Sequence, residues 1–402
     1  MDEKELMKKL SSGELKLYQL DELLGDSNLA TELRRKFLEE ESGVDLSIAR
    51  DGRIDFNQVV GRNVENPIGS VTLPLAIAGP ITINGEYANG KFYIPLATTE
   101  GALVASVNRG CAAITQSGGA KVRIIRDAQT RAPVFKLESI EEVNDFLEWL
   151  RKNFERLKAE AEATSSHLKL LAFHPFVVGR YVYLRFYFDT CDAMGMNMVT
   201  IASDRVGRFI ERETNAKFVS LSSNLCTDKK PSGLNLVLGR GKTVVAEVRV
   251  PQNVLEQKLK TNLEDFLEVW KAKNMLGSAA AGSFGFNAHF ANVIAAIYLA
   301  TGQDAAHVVE GSLGWTYAEA EERSLYFSVT LPCIQVGAVG GGTRLPVQRA
   351  MLKLLGCEVK EEGKAAKRLA EITACAVLAG ELSLLAALAA HHLARAHERL
   401  GR

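Results

Sequence analysis

Residues 369–396, LAEITACAVLAGELSLLAALAAHHLARA, form one apolar, alanine-rich run that any fold of this chain has to accommodate. A membrane span needs about 20 mainly apolar residues with no charge at its centre. Glu371 and Glu381 interrupt this run, and His391, His392 and Arg395 close it. It therefore reads as a helix apolar on all sides and buried in a large core, its small residues favouring close helix packing. A chain of 402 residues, 47% of them hydrophobic, can supply such a core, and its length predicts two or three domains.

The rest of the chain divides by pattern. Residues 1–50 carry charges and helical spacing, with Leu17, Leu20, Leu23 and Leu24 on one side. Pro67 to Pro95 alternates short β-branched runs (Val71 to Leu73, Ile81 to Ile83, Phe92 to Ile94) with the turn pairs Asn84-Gly85 and Asn89-Gly90. From Val122 to Val219 the order is strand, helix (Ile140 to Glu162) and strand (Val177 to Phe188), as in an inserted α/β domain. Val244 to Val250 predicts a strand, and Asn274 to Leu299 and Leu369 to Glu398 predict long helices. The expected division is a helical N-terminal segment (1–50), a first part of a large domain (51–121), an inserted small domain (122–220) and the rest of the large domain (221–402). The sequence carries neither an internal repeat nor a low-complexity linker, so these parts should pack together.

Charge excludes some partners. Lys plus Arg and Asp plus Glu number 48 each, so no net field favours nucleic acid or an acidic membrane. The cysteines (Cys111, Cys191, Cys226, Cys333, Cys357, Cys375) form no CxxC pair, which argues against a disulfide framework or a metal site and for a reducing compartment. Met1 to Leu10 has no apolar signal core, so a cytoplasmic location is expected.

Two glycine motifs fail. Gly239-Arg240-Gly241-Lys242-Thr243 ends like a phosphate-binding loop, but Leu236 stands where that loop needs its first glycine. Gly337 to Gly342 is glycine-rich without spelling GxGxxG, so a dinucleotide would bind outside a Rossmann frame. Glu100, Lys229, Asp304 and His397 are the acid, base and cation candidates. Each alone is ordinarily a solvated or paired group. Glu100 follows Ala97-Thr98-Thr99 at a helix start, Asp304 sits in Gly302-Gln303-Asp304-Ala305-Ala306, and Lys229 in Asp228-Lys229-Lys230-Pro231. These apolar surroundings should shift their pKa values.

Eight segments resemble the hydroxymethylglutaryl-coenzyme A reductase family. They are Glu65-Asn66-Pro67-Ile68-Gly69, ATTEGALVASVNRGCAA from Ala97, DAMGMNM from Asp192, NLCTDKKP from Asn224, KNMLGSAAAG from Lys273, GQDAAH from Gly302, GAVGGGT from Gly337 and AGELSLLAALAA from Ala379. The resemblance covers Tyr18 to His397 and is nearer the eukaryotic and archaeal form than the bacterial degradative one. It implies an α+β fold: a large domain around a long central helix, an inserted ferredoxin-like nucleotide-binding domain and a small helical N-terminal segment. It also implies four-electron reduction of 3-hydroxy-3-methylglutaryl-CoA to mevalonate and CoA by two NADPH, with NADH as the alternative coenzyme.

Residue by residue, the resemblance makes Lys229 the cation at the carbonyl oxygen and Glu100 the proton donor of the aldehyde stage. Asp304 is the buried carboxylate coupled to both, and His397 protonates the CoA thiolate. Arg123, Ser222, Asp228, Lys230, Lys273, His289 and Asn292 surround the hydroxymethylglutaryl group, whose carboxylate calls for cations. Tyr18, Ser106, Asn108, Arg109 and Lys260 meet CoA, and Ala112 replaces a family arginine there. Ser165, Asp192, Met194, Gly195, Met196, Asn197, Val339 and Gly340 meet the coenzyme. Ser166 stands where NADPH-dependent members carry an arginine for the 2′-phosphate, with His167 and Lys169 as basic neighbours. The implied partner is a second copy of the chain, as dimer or tetramer, with Glu100 and Lys229 at one site from different protomers. The membrane anchor of eukaryotic members and their regulatory phosphoserine are expected to be missing. Two alternatives remain: a CoA-thioester acyl transferase or lyase using Lys229 or Cys226 without hydride transfer, and a CoA-binding protein without turnover.

Overall fold

The structure, a computed structural model, describes the backbone of residues 3–400 and the side chains of residues 3–390. Its axis is the helix Lys364–Leu400. The stretch Lys364–Ala390 is long and apolar enough to cross a membrane, yet 83% of its most apolar window is buried inside this fold. Leu369, Ile372, Val377, Leu378, Leu382 and Leu385 meet protein on every side, as a helix apolar all round must.

Among the described residues eleven strands surround that axis: β1 (Leu75–Asn84), β2 (Asn89–Ala97), β3 (Ala120–Arg131), β4 (Val134–Lys136), β5 (Lys169–Val178), β6 (Tyr181–Asp189), β7 (Lys217–Ser220), β8 (Gly241–Pro251), β9 (Gly285–Phe286), β10 (Gly314–Glu321) and β11 (Ser324–Ile334). One sheet runs β2-β1-β3-β8-β11-β10-β9, and a smaller one runs β7-β4-β6-β5. β3 belongs to both, since Lys121 to Ala128 pair with β8 while Gln129 to Arg131 pair with β6. In β8, Val244, Ala246, Val248 and Val250 alternate inward beneath the long helix while Glu247 and Arg249 face outward, the period of a sheet buried on one face. The apolar side chains form three clusters: around the long helix, within the small sheet and its helices, and among the N-terminal helices with Ala350 and Met351.

Four expectations are corrected. Val71 to Leu73 is not a strand, because β1 starts only after Pro74. Asn89-Gly90 lies in β2, and the turn is 85–88. The predicted helix Ile140 to Glu162 breaks at Asn153. Asn274 to Leu299 is a π-helical segment (Trp270–Gly277), one turn of α-helix, β9 and the separate helix Phe290–Thr301. Gly282 (φ +65°) ends its helical part, and the Asn287 amide donates to the Ser312 carbonyl at 3.0 Å instead of prolonging the helix.

Both glutamates of the apolar helix serve as clamps. Glu371 accepts backbone N–H groups of Glu86, Tyr87 and Ala88 at 3.2, 2.8 and 2.6 Å, holding the β1–β2 turn. Glu381 accepts those of Ala288 and His289 at 2.9 and 2.6 Å, holding the start of the Phe290–Thr301 helix. Burial pushes both carboxyls above the ordinary value, and the N–H groups oppose it.

The helix Leu103–Gln116 approaches so closely that a Cβ on Gly110 would lie 1.9 Å from the Ala379 carbonyl oxygen. Ala is the better helix former by roughly 0.8–1.0 kcal/mol, so any loss in Gly110→Ala reports the clash. Urea unfolding should show a net destabilisation of about 1–3 kcal/mol; unchanged or greater stability would contradict this packing.

Candidate active site

The loop that presents Lys229 is strained. Asn224, Thr227 and Lys229 take left-handed φ values of 64°, 59° and 54°, and for the β-branched Thr227 this is a true outlier. Each such residue costs on the order of 1–3 kcal/mol, and such strain gathers at functional sites. The surroundings hold it. The buried Arg185 donates to the Leu225 carbonyl (2.6 Å), Thr227 Oγ1 (3.0 Å) and the Gly239 carbonyl (2.8 Å). Asn235, also buried, bonds Thr227 Oγ1 and donates to the Lys230 carbonyl at 2.9 Å. The Lys229 ammonium thereby reaches Asp304 Oδ2 at 2.8 Å.

Behind this pair lies a buried charge network. Asp304 caps the turn Ala305–His307, accepting from Ala306 N–H at 3.1 Å, and Asp304, His307 and Glu310 follow at intervals of three on one helical face. Arg240, fully buried, donates to Glu310 Oε1 at 2.6 Å and Met196 Sδ at 2.7 Å and forms an ion pair with Asp228 Oδ1 at 3.0 Å. Glu310 Oε1 also meets His307 Nδ1 at 2.8 Å and accepts the Lys229 backbone N–H at 3.2 Å. Burial raises the Asp304 carboxyl, but the Lys229 hydrogen bond, the Ala306 N–H and the His307 charge together hold it below its ordinary value. One expectation changes here. Asp304 is 40% exposed, and the buried carboxylate is Glu310, which the motif reading passed over.

Glu100 belongs to a second group. Its Oε1 accepts from the Asn292 amide at 3.1 Å, and Asn292 is the third residue of the helix that His289 caps. Lys273 is exposed on the π-helical segment, a rare geometry found mostly at functional sites. Among the described residues no hydrogen bond or ion pair joins Glu100 to Lys229 or Asp304. Arg123 donates to the Val122 and Asn84 carbonyls, Ser222 Oγ lies 3.8 Å from Cys226 Sγ, and the Lys230 amine donates to the Asp228 carbonyl at 3.2 Å. His397 lies outside the described side chains.

The residues expected at CoA separate. Tyr18 and Asn108 line both a cavity of about 550 Å³ that reaches Glu100 and a neighbouring one of about 850 Å³ that contains Lys16, Lys91 and Lys258 beside Ala112. Asn108 Oδ1 is engaged by Gly79 N–H at 2.9 Å. Ser106 and Arg109 turn to Ser383 of the long helix at 3.0 Å, and Lys260 is exposed and lines neither cavity.

The segments expected at the coenzyme do meet. The Asp192 carbonyl accepts Ala338 and Val339 N–H, Ala193 pairs with Val339, and a Cβ on Gly337 would lie 2.4 Å from Met194 N. Gly195 (φ +92°) opens the helix Met196–Glu213, whose N-terminus has no side-chain cap; Asn197 is exposed beside it. Val339 and Gly340 border a cavity of about 520 Å³ with Arg62, Arg344, Arg349 and Lys353. The Asp192 carboxylate is itself engaged, accepting Gly363 and Ala366 N–H at 2.7 and 2.9 Å at the start of the long helix. Ser165 Oγ accepts the His167 N–H at 3.2 Å, while His167 Nδ1 pairs with Glu362 at 2.6 Å, so that imidazole is already partnered.

A mixed α+β architecture of this kind is found in class II 3-hydroxy-3-methylglutaryl-CoA reductase of Streptococcus pneumoniae, solved bound to NADPH. The TM-score is 0.71 at 20% identity, covering 89% of this chain and 86% of that one. Among curated relatives, the 3-hydroxy-3-methylglutaryl-coenzyme A reductases of Methanocaldococcus jannaschii (54% identical over 99% of each chain) and Pyrococcus abyssi (53% over 100% of each) are similar along their whole length. Residues 30–402 match the family model of hydroxymethylglutaryl-coenzyme A reductase, and the chain belongs to that family.

Removing one partner of a buried ion pair strands the other charge, at a cost of about 3–5 kcal/mol. Arg240→Met should lose about that much in urea unfolding, and Arg240→Met with Glu310→Leu should recover most of it without recovering activity. A single variant as stable as the wild type would contradict the network.

Proposed function

We infer that this chain reduces 3-hydroxy-3-methylglutaryl-CoA to mevalonate and CoA, a four-electron reduction using two equivalents of a nicotinamide coenzyme, NADPH foremost. The observation that carries this is the Lys229–Asp304 pair, 2.8 Å apart on a strained loop and joined through Arg240 to Met196 of the coenzyme segment. Adding a hydride to a thioester carbonyl puts negative charge on oxygen, and the Lys229 ammonium is the group to stabilise it. Collapse of that adduct expels the CoA thiolate, to which His397 gives a proton. At the aldehyde stage Glu100 gives the proton that turns the second alkoxide into the product hydroxyl. Lys230, Lys273 and Arg123 bind the free carboxylate, Asp228 and Ser222 shape that pocket, and His289 and Asn292 hold Glu100 and the substrate oxygens. Cys226, one of the two groups an acyl transferase or lyase could use, is 1% exposed, which disfavours it as a nucleophile.

Reduced nicotinamide, when bound, supplies the hydrides. The chain's own groups fit it: uncapped N–H groups after Gly195 favour an anion, and Arg62, Arg344, Arg349 and Lys353 beside Gly340 favour the coenzyme phosphates. We read residues 122–220 as a ferredoxin-like nucleotide-binding insert within a large domain (51–121 and 221–402) that follows the N-terminal segment 1–50. The order β7-β4-β6-β5, with helices between β4 and β5 and between β6 and β7, supports this. Tyr18, Ser106, Asn108, Arg109 and Lys260 are our proposed CoA contacts, Tyr18 stacking on adenine. The enzyme works in the cytoplasm as a dimer or tetramer. The separation of the Glu100 and Lys229 groups within one chain supports a site shared by two protomers.

Lys229→Ala should lower turnover by at least about 100-fold, the range for losing one oxyanion donor, in a protein of unchanged oligomeric state; near-normal turnover would overturn the assignment. Separately, co-refolding inactive Glu100→Ala with inactive Lys229→Ala should restore activity, because mixed dimers hold one intact site. Failure to restore it, with mixed dimers present, would place both residues in a site of one chain. His397→Ala should slow thioester reduction more than reduction of mevaldehyde, whereas equal losses would exclude a role at the thiolate.

A further inference from the structure

His307 is completely buried between Glu310 and Asp304. Its Nδ1 lies 2.8 Å from Glu310 Oε1. That oxygen already accepts from the Arg240 guanidinium and the Lys229 backbone N–H, both donors only, so Nδ1 must carry a hydrogen. Nε2 then faces Asp304 Oδ2 at 3.6 Å, buried and without a hydrogen-bond partner. A bare ring nitrogen is an acceptor, as is the carboxylate oxygen it faces, and leaving Nε2 unpaired in a buried site is unfavourable. One hydrogen therefore belongs between them. Asp304 Oδ2 is also the oxygen that receives the Lys229 ammonium.

We propose that His307 is a positioning residue for the reaction: as an imidazolium it directs Nε2–H at Asp304 and keeps that carboxylate an anion aimed at Lys229. The inference rests on the reading of Lys229 and Asp304 given above. A gap of 3.6 Å is longer than a hydrogen bond, and such contacts commonly tighten only in the substrate complex. The groups facing the ring are Glu310 on its own turn, Asp304 before it, Asp228 Oδ1 at 3.7 Å and the Arg240 guanidinium at 3.5 Å. Lys229 stands beyond Asp304 and Arg131 beyond Asp228, while the buried Tyr298 and Cys333 lie within electrostatic range of Glu310 and Arg240. Asp228, His307 and Glu310 are spaced like metal ligands, but Arg240 bonds both carboxylates and occupies the cation's place. A ring without that hydrogen would set a lone pair against Asp304 and withdraw its support from the Lys229 pair.

The test is kcat and KM for wild type and His307→Gln. Expected is a kcat lower by about ten- to a hundred-fold, as when outer partners of metal ligands are removed, with KM for the thioester little changed. An unchanged kcat, or a KM that rises as far as kcat falls, overturns the proposal. Should the variant not fold, ¹⁵N NMR of the histidine-labelled wild type decides, with the ring assigned through its backbone amide. Both ring nitrogens of His307 protonated at pH 7 supports the proposal, and a bare Nε2 overturns it. If Lys229→Ala is inactive while His307→Gln behaves as wild type, this inference alone fails; if Lys229→Ala is active, the reading beneath it fails.

Discussion

One buried guanidinium holds the site together. Arg240 bonds Glu310 and Asp228 and touches Met196, so the segments expected to bind coenzyme, to carry Lys229 and to carry Asp304 share a single cation. None of these segments is held by local propensity alone. The Lys229 loop has three left-handed non-glycine residues, and the turn bearing Asp304 is short. A buried charge is unfavourable unless it is fully paired, so any shift that separated these segments would strand Arg240 or Glu310. The network thus turns an energetic liability into a constraint on geometry.

The second constraint is the long apolar helix. It cannot end its contacts in water, so the sheet, the Leu103–Gln116 helix and the Phe290–Thr301 helix pack around it. Glu371 and Glu381 fix where they pack, each by accepting backbone N–H groups from an element distant in sequence. Glu381 positions the helix start that bears His289 and Asn292, and Asn292 holds Glu100. Asp192 joins the other end of the same helix to the coenzyme segment. One helix therefore connects the Glu100 group with the glycine loop.

Much of this was legible in the residues, because it rests on patterns a few residues long. The apolar run and its two charges signalled a buried helix, and the motifs singled out Lys229 and Asp304, which the fold brings to 2.8 Å of each other. Segment 274–299 misled because alanine and glycine suit close packing in any context, and its breaks depend on Gly282 and on a bond from Asn287 to a carbonyl 25 residues away. Arg240 was passed over as part of a failed phosphate loop, since its partners lie 12 residues before it in Asp228 and 70 after it in Glu310. The spacing of Asp304, His307 and Glu310 was readable, but the burial that gives it meaning was not. Asp304 looked buried by analogy and is partly exposed in the single chain.

Hydride addition to the thioester carbonyl, and not acyl transfer, leads to the release of CoA, and a second hydride then reduces the aldehyde. The most direct measurement is stoichiometry: NADPH consumed and free thiol formed in the same sample as 3-hydroxy-3-methylglutaryl-CoA is exhausted. Two NADPH oxidised for each thiol released is the predicted result, with NADH run alongside because Ser166 stands where the resemblance calls for an arginine and His167 is already paired with Glu362. Thiol release with no coenzyme oxidised would contradict it.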